Sequence, residues 1–193
     1  EIYTELEFKA WTEELKNKQG LFSRETSASE PQTNASKEPL DVSSEINYEV
    51  ILELSHLKEW IAKITNSELL AIDTETDSLD YMSAKLIGIS MSVKPNSAAY
   101  IPLGHDYLGA PEQLDKEIVL NQLRPILENS HIKKVGQNIK FDMSIFKQHG
   151  INLCGISFDT MLESYVINSI ATRHDMDSLA STYLNLDTTK FTD

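Results

Sequence analysis

From Tyr48 onward, apolar residues recur with a spacing that switches between the period of a strand and that of a helix. Tyr48 to Leu52 reads as a strand, and Leu57, Trp60, Ile61 and Ile64 then share one face of a helix capped by Ser55. Leu69–Thr74 is a second strand. Lys85–Val93, carrying Leu86, Ile87, Ile89 and Val93, is a third, and the turn Pro95-Asn96 leads into a fourth, Ala98–Leu103. The last three predict an antiparallel meander. Beyond it, Glu112–Glu128 has helical spacing, with Pro125 as a possible kink. Ile132–Gly136 reads as a short strand, and Asn138–His149 as a helix ended by Gly150. Asp159 caps a helix over Thr160–Ile170, and Asp175 or Asp177 starts a last one reaching Leu184. A meander followed by alternating helix and strand predicts an α/β fold: a mixed sheet, antiparallel meander plus parallel strands, flanked by helices.

Upstream the pattern is different. Leu6, Trp11 and Leu15 have helical spacing, but Ser23–Ile46 is rich in Ser, Glu, Thr and Pro and almost free of large apolar residues. Such a stretch buries too little surface to offset its ordering entropy, which predicts a flexible linker. The short helix before it reads as the tail of something upstream. The expected organisation is therefore a tail over 1–22, a linker over 23–46 and a globular region over 47–193, in a chain cut from a longer one.

Composition narrows the class. A hydrophobic content of 40% and charged content of 24% are ordinary for a globular protein. There is no run long enough to cross a bilayer and no signal-peptide pattern, and the single cysteine, Cys154, allows no internal disulfide and no zinc motif, so cytosol is expected. A net charge of −13 argues against a simple nucleic-acid binder. It leaves room for a nuclease, because bound divalent cations invert the local field of an acidic site.

The candidate chemistry begins where the apolar run Leu69-Leu70-Ala71-Ile72 ends in Asp73-Thr74-Glu75. Side chains alternate along a strand, so Asp73 and Glu75 point to the same side and can share a cation. Paired carboxylates are hard oxygen ligands suited to Mg²⁺ or Mn²⁺, and such pairs serve phosphodiester hydrolysis. The alternative is a solvated strand end. Lys134-Val135-Gly136-Gln137-Asn138-Ile139-Lys140-Phe141-Asp142 runs from strand into helix, and the spacing puts Asn138 and Asp142 on one helix face. If this strand lies beside that of Asp73, Asp142 completes a three-carboxylate site. Otherwise Asn138 is a cap and Asp142 faces solvent.

Asp73-Thr74-Glu75-Thr76-Asp77-Ser78-Leu79-Asp80 and Val135-Gly136-Gln137-Asn138-Ile139-Lys140-Phe141-Asp142 resemble the first two motifs of the 3′→5′ proofreading exonuclease domain of family A bacterial polymerases. Ala99-Tyr100-Ile101-Pro102, Gly104-His105-Asp106-Tyr107-Leu108, Phe158-Asp159-Thr160-Met161-Leu162-Glu163-Ser164-Tyr165 and Arg173-His174-Asp175-Met176-Asp177-Ser178-Leu179-Ala180 extend the likeness from about Tyr48 to the end. Residues 1–22 are similar to the end of the polymerase's upstream 5′-nuclease region.

The resemblance implies a ribonuclease-H-like α/β fold and two-metal hydrolysis of the terminal phosphodiester at a single-stranded DNA 3′ end. It implies Mg²⁺ or Mn²⁺ on Asp73, Glu75 and Asp142, and strand contacts from Leu79 as a wedge, Phe191 as a base platform, and Gln137, Asn138 and Arg173 to sugar and phosphate. Its implied partners are the polymerase and 5′-nuclease regions of the same polypeptide, in a monomeric, nucleoid-associated protein. The family's third motif, a Tyr followed four residues later by a metal-binding Asp, would fall beyond Asp193, so weak or no hydrolysis is expected of this chain alone. A ribonuclease-D-like RNA exonuclease shares the first two motifs, and a silent scaffold domain is a further alternative. His105-Asp106 reads as a loop that positions the meander, His174 as packing or strand contact, Trp60 and Tyr165 as core, and Cys154 as a small core or turn residue.

Overall fold

The computed structural model describes residues 46–170 and 173–188, all in one unit, Leu40–Asp193. The expected N-terminal helix, nearly all of the expected linker, and Phe191 lie outside the described residues. The elements are β1 (Asn47–Val50), α1 (Leu54–Thr65), β2 (Leu69–Thr76), β3 (Leu86–Lys94) and β4 (Ser97–Pro102). There follow α2 (Lys116–Leu127), β5 (Lys133–Gly136), α3 (Lys140–Gln148), β6 (Ile156–Asp159), α4 (Thr160–Ile167), α5 (Met176–Leu179) and a π-helical turn, Ala180–Leu184.

The six strands form one sheet in the order β1-β4-β3-β2-β5-β6. Strands β2, β3 and β4 pair antiparallel, as the turn at Pro95-Asn96 requires, while β2–β5, β5–β6 and β1–β4 are parallel. The expected mixed sheet is thus present.

Register divides the sheet into two unlike faces. Ile72 pairs with Met91 and that with Ala99; Thr74 pairs with Ile89 and that with Ile101. These rows are buried and belong to the same core as Leu57, Trp60 and Ile64 of α1, Leu120, Leu123 and Leu127 of α2, and Ile145 and Phe146 of α3. The adjacent rows, Asp73–Ser90–Tyr100 and Glu75–Gly88–Pro102, carry the opposite face. Alternation along β2 therefore puts Leu70, Ile72 and Thr74 in the core and its two acids, with Leu69 and Ala71, on the opposite face.

Several boundaries differ from expectation, each for a local reason. Helix α1 begins one residue before Ser55: Glu53 is the extended N-cap residue, and the Ser55 hydroxyl donates to its carboxylate at 3.2 Å. Helix α2 starts at Lys116, where Asp115 accepts from the Ile118 amide, and runs through Pro125 to Leu127. Helix α3 starts at Lys140, so Asn138 shares no helix face with Asp142; its φ of +56° places it in a left-handed bend before the helix. Gly150, at φ +67°, follows the end of α3 as expected. Helix α4 stops at Ile167, because Asn168 is extended. Tyr165 is not core: it is half exposed and stacks on the His174 ring at 3.8 Å between centroids. Trp60 is fully buried, its indole N–H donating to Glu49 at 3.0 Å.

Candidate active site

Strand β5 pairs with β2 only as far as Ala71 opposite Val135. Beyond that pair Gly136 stays paired with Asp159 of β6 but no longer with β2, the chain leaves the sheet at Gln137, and the edge of β2 is open where its carboxylates begin. A crevice outside the carboxyl end of a strand, between diverging neighbours, is where open α/β sheets place ligands.

Asp142, in the first turn of α3, fills this gap. Its Oδ1 accepts from the Thr74 backbone N–H at 2.8 Å and from the Thr74 hydroxyl at 2.6 Å, and only 1% of the residue is exposed. A carboxylate from 68 positions downstream thus completes the hydrogen bonding of the residue between Asp73 and Glu75. Thr74 is the residue that sequence reasoning missed. Its signal was a small hydroxyl residue on the buried side of an otherwise apolar strand, where a polar group needs a partner.

Asp73 stands in the field of the other two acids. Burial, then the charge of Asp142, then that of Glu75 push the Asp73 carboxyl up to about 7, against a weaker opposing bond from the Thr74 amide. Burial also raises Asp142, to about 6, although both Thr74 bonds favour its charged form. Asp142 feels the charge of Asp159, whereas Asp73 feels that of Asp142. Among the described residues no Lys or Arg forms an ion pair with any of the three.

Such a concentration of uncompensated carboxylate calls for a cation, and the donor set is all hard oxygen, as Mg²⁺ or Mn²⁺ requires. The donor types fit. Among the described residues, however, no three acidic, imidazole or thiol groups are arranged to enclose a metal ion as they stand.

The other expected site residues are placed as follows. Leu79 stands in the loop after β2 with 92% exposure. Gln137 bridges two segments, its amide N–H donating to the His174 carbonyl at 2.8 Å and its oxygen accepting from the Thr160 hydroxyl. The Asn138 backbone N–H donates to Asp159 at 3.2 Å. The side chain of Arg173 is largely exposed, 3.8 Å from Asp175. His174 is buried between Ser164, 2.8 Å from Nδ1, and the Ser169 carbonyl, 3.1 Å from Nε2, which gives it a packing role.

Asp159 does more than the expected capping. It accepts from Met161 and Leu162 at the start of α4, and also from Asn138 and Ile139 ahead of α3, tying the two helix entrances together. Tyr100 was not singled out either. It lies on the carboxylate face, and Gly88 in mid-strand was the sign that something large crosses there.

Residues 48–192 match the profile of the 3′-5′ exonuclease family. DNA polymerase I of Pseudomonas aeruginosa is 43% identical over 194 aligned residues, covering all of this chain and 20% of that protein, so the chain spans about a fifth of that relative's length. Among solved structures, the POL domain of Pol1 from M. smegmatis aligns over 72% of this chain and 23% of its own, at TM-score 0.60 and 17% identity. Trypanosoma brucei RNase D aligns over 75% of this chain and 50% of its own, at TM-score 0.58 and 14% identity. These two likenesses concern the fold, a ribonuclease-H-like mixed sheet. By its profile, the chain belongs to the 3′-5′ exonuclease family found in DNA polymerase I.

Proposed function

We propose that this chain is the proofreading domain of a DNA polymerase I, hydrolysing the terminal phosphodiester at a single-stranded DNA 3′ end. Asp73, Glu75 and Asp142 would hold two divalent cations, Mg²⁺ or Mn²⁺. Bound there, such ions supply charge neutralisation and Lewis-acid polarisation of water and phosphate. The observation that carries this reading is Asp73, half-buried at a strand end within the field of Glu75 and of Asp142 from the next helix, with no protein cation paired to the three among the described residues.

The side chains divide the work. Thr74 orients Asp142 through two bonds and keeps it charged despite burial. Exposed Leu79 offers an apolar edge to a terminal base, and the exposed guanidinium of Arg173, loosely paired with Asp175 at 3.8 Å, suits a phosphate. The −13 charge limits affinity for DNA, so other regions of the polypeptide would supply most phosphate contacts. On this reading residues 1–22 are the end of the upstream 5′-nuclease region, residues 23–46 are a linker, and the polypeptide works at the nucleoid. On this reading the isolated chain hydrolyses DNA slowly.

The test is Asp73→Ala in the full polymerase polypeptide, measuring excision of a mismatched 3′ nucleotide alongside primer extension. Excision is expected to fall by at least about 10³-fold, as when a group acting only in the transition state is removed, with extension retained. Unchanged excision removes the site assignment. Running the same assay on RNA ends separates this function from that of an RNA exonuclease.

A further inference from the structure

On the polar face of the sheet, Tyr100 and Gly88 interlock. A Cβ on Gly88 would lie 2.0 Å from the Tyr100 Oη and 2.4 Å from Cζ, so the phenol end of the ring occupies the space over the glycine. Gly88 pairs directly with Glu75 across the β2–β3 ladder, and directly opposed positions bring Cβ atoms within about 5.5 Å. The missing side chain is therefore a passage through which the Tyr100 phenol reaches from β4 toward Glu75.

The phenol is supported from behind. Its Oη is 2.7 Å from His105 Nε2, and the two rings meet edge to face at 5.8 Å. Gln113 clamps His105 on both sides of its backbone: Oε1 accepts from the His105 N–H at 2.9 Å, and Nε2 donates to its carbonyl at 2.6 Å. The phenol lies within the field of the Glu75 carboxylate.

We propose that Tyr100, backed by His105, is a positioning residue for Glu75, presenting a phenol O–H that fixes the direction of that carboxylate. A phenol has one proton. With His105 donating its Nε2–H to Oη, the Tyr100 proton is directed at Glu75; the reverse tautomer would turn oxygen lone pairs toward a negative group. The proposed chain of donors runs from His105 across the 2.7 Å contact to Tyr100 and onward to Glu75, a last bond that would form when that carboxylate takes up its working position, and Gly88 keeps the way clear. This inference rests on the assignment of Glu75 to the metal site.

The test uses the full polymerase polypeptide with Tyr100→Phe, Gly88→Ala and His105→Ala. Two readouts are taken: excision kinetics, and the increment of Mn²⁺ binding, followed by electron paramagnetic resonance, that Asp73→Ala removes. Tyr100→Phe deletes one oxygen and preserves the ring, so it keeps the test valid if Gly88→Ala fails to fold. Loss of one hydrogen bond to a charged group predicts about a tenfold fall in kcat, KM for the DNA end within about twofold, and Mn²⁺ affinity lower by about threefold to tenfold. Gly88→Ala, which displaces an intact phenol, should behave alike, and His105→Ala should add nothing to Tyr100→Phe. Wild-type kcat and Mn²⁺ affinity in Tyr100→Phe, even with reduced thermal stability, overturn the proposal while Asp73→Ala still abolishes excision. If Asp73→Ala leaves excision intact, the site assignment falls and this inference with it.

Discussion

Neutralising Asp73 should make the protein more stable while removing its activity. The native carboxyl is lifted from 3.8 to about 7 by burial and by the charges of Asp142 and Glu75. At about 1.36 kcal/mol per unit, a shift of about three units corresponds to an upper bound on the order of 4 kcal/mol. Asp73 is partly open to solvent and shares its titration with Asp142, so screening reduces the expected effect of Asp73→Asn to about 1–2 kcal/mol. The sign follows from proton counting. Between pH 3.8 and about 7 the native state holds a proton that the unfolded chain has released, so wild-type stability falls as pH rises through this window. Below it there is no penalty, and above it the penalty is complete.

Asp73→Asn, which cannot ionise, escapes this loss. Urea unfolding of the 193-residue chain in chelator at pH 5 and pH 8 should show a stabilisation by Asn that is larger at pH 8. Saturating Mg²⁺ should then reverse the order, because a cation at about 100 times its Kd stabilises the wild type by about 2.7 kcal/mol and the variant much less. A variant less stable than wild type in chelator at pH 8, or a difference independent of pH, would refute the reasoning.

Three further outcomes are expected. Thr74→Val removes the 2.6 Å hydroxyl bond to buried Asp142, and urea unfolding at pH 8 should show a loss of about 1.5–3 kcal/mol, smaller at pH 5 where Asp142 is protonated. Lys134 is wholly buried, donates to the Asn129 and Ile132 carbonyls, and is lowered from 10.5 to about 8 by burial, which outweighs the opposing influence of Cys154. Because the unfolded chain keeps its proton to higher pH, wild-type stability rises from about pH 8 to 10.5. The stability of Lys134→Met relative to wild type should decline by up to about 3 kcal/mol across that window, and a flat difference would exclude a desolvated ammonium. Gly155 and Gly150 both have positive φ, but a Cβ on Gly155 would lie 2.4 Å from the Ile132 carbonyl while Gly150 has open space. Thermal unfolding should therefore show Gly155→Ala costing about 2–4 kcal/mol and Gly150→Ala about 1, and equal losses would contradict the steric account.

Local pattern was enough to determine the meander, the order of helices and strands apart from β6, which was not expected, and the placing of Asp73 and Glu75 on one face of a strand end. Each depends on neighbours a few residues away, through alternation in β2 and the turn at Pro95-Asn96. The cap at Asp159 and the stop at Gly150 were legible for the same reason. Only the tertiary structure decided that β5 lies beside β2 and releases it after Ala71, so that Asp142 reaches Thr74 across 68 positions. Only it decided that Tyr100 crosses Gly88, that β1 joins the far edge of β4, and that Asn138 bends out of the helix expected to hold it. Periodicity records which side of an element is buried. It carries no record of which elements become neighbours, because that choice is made by burial and hydrogen bonding summed over the whole sheet.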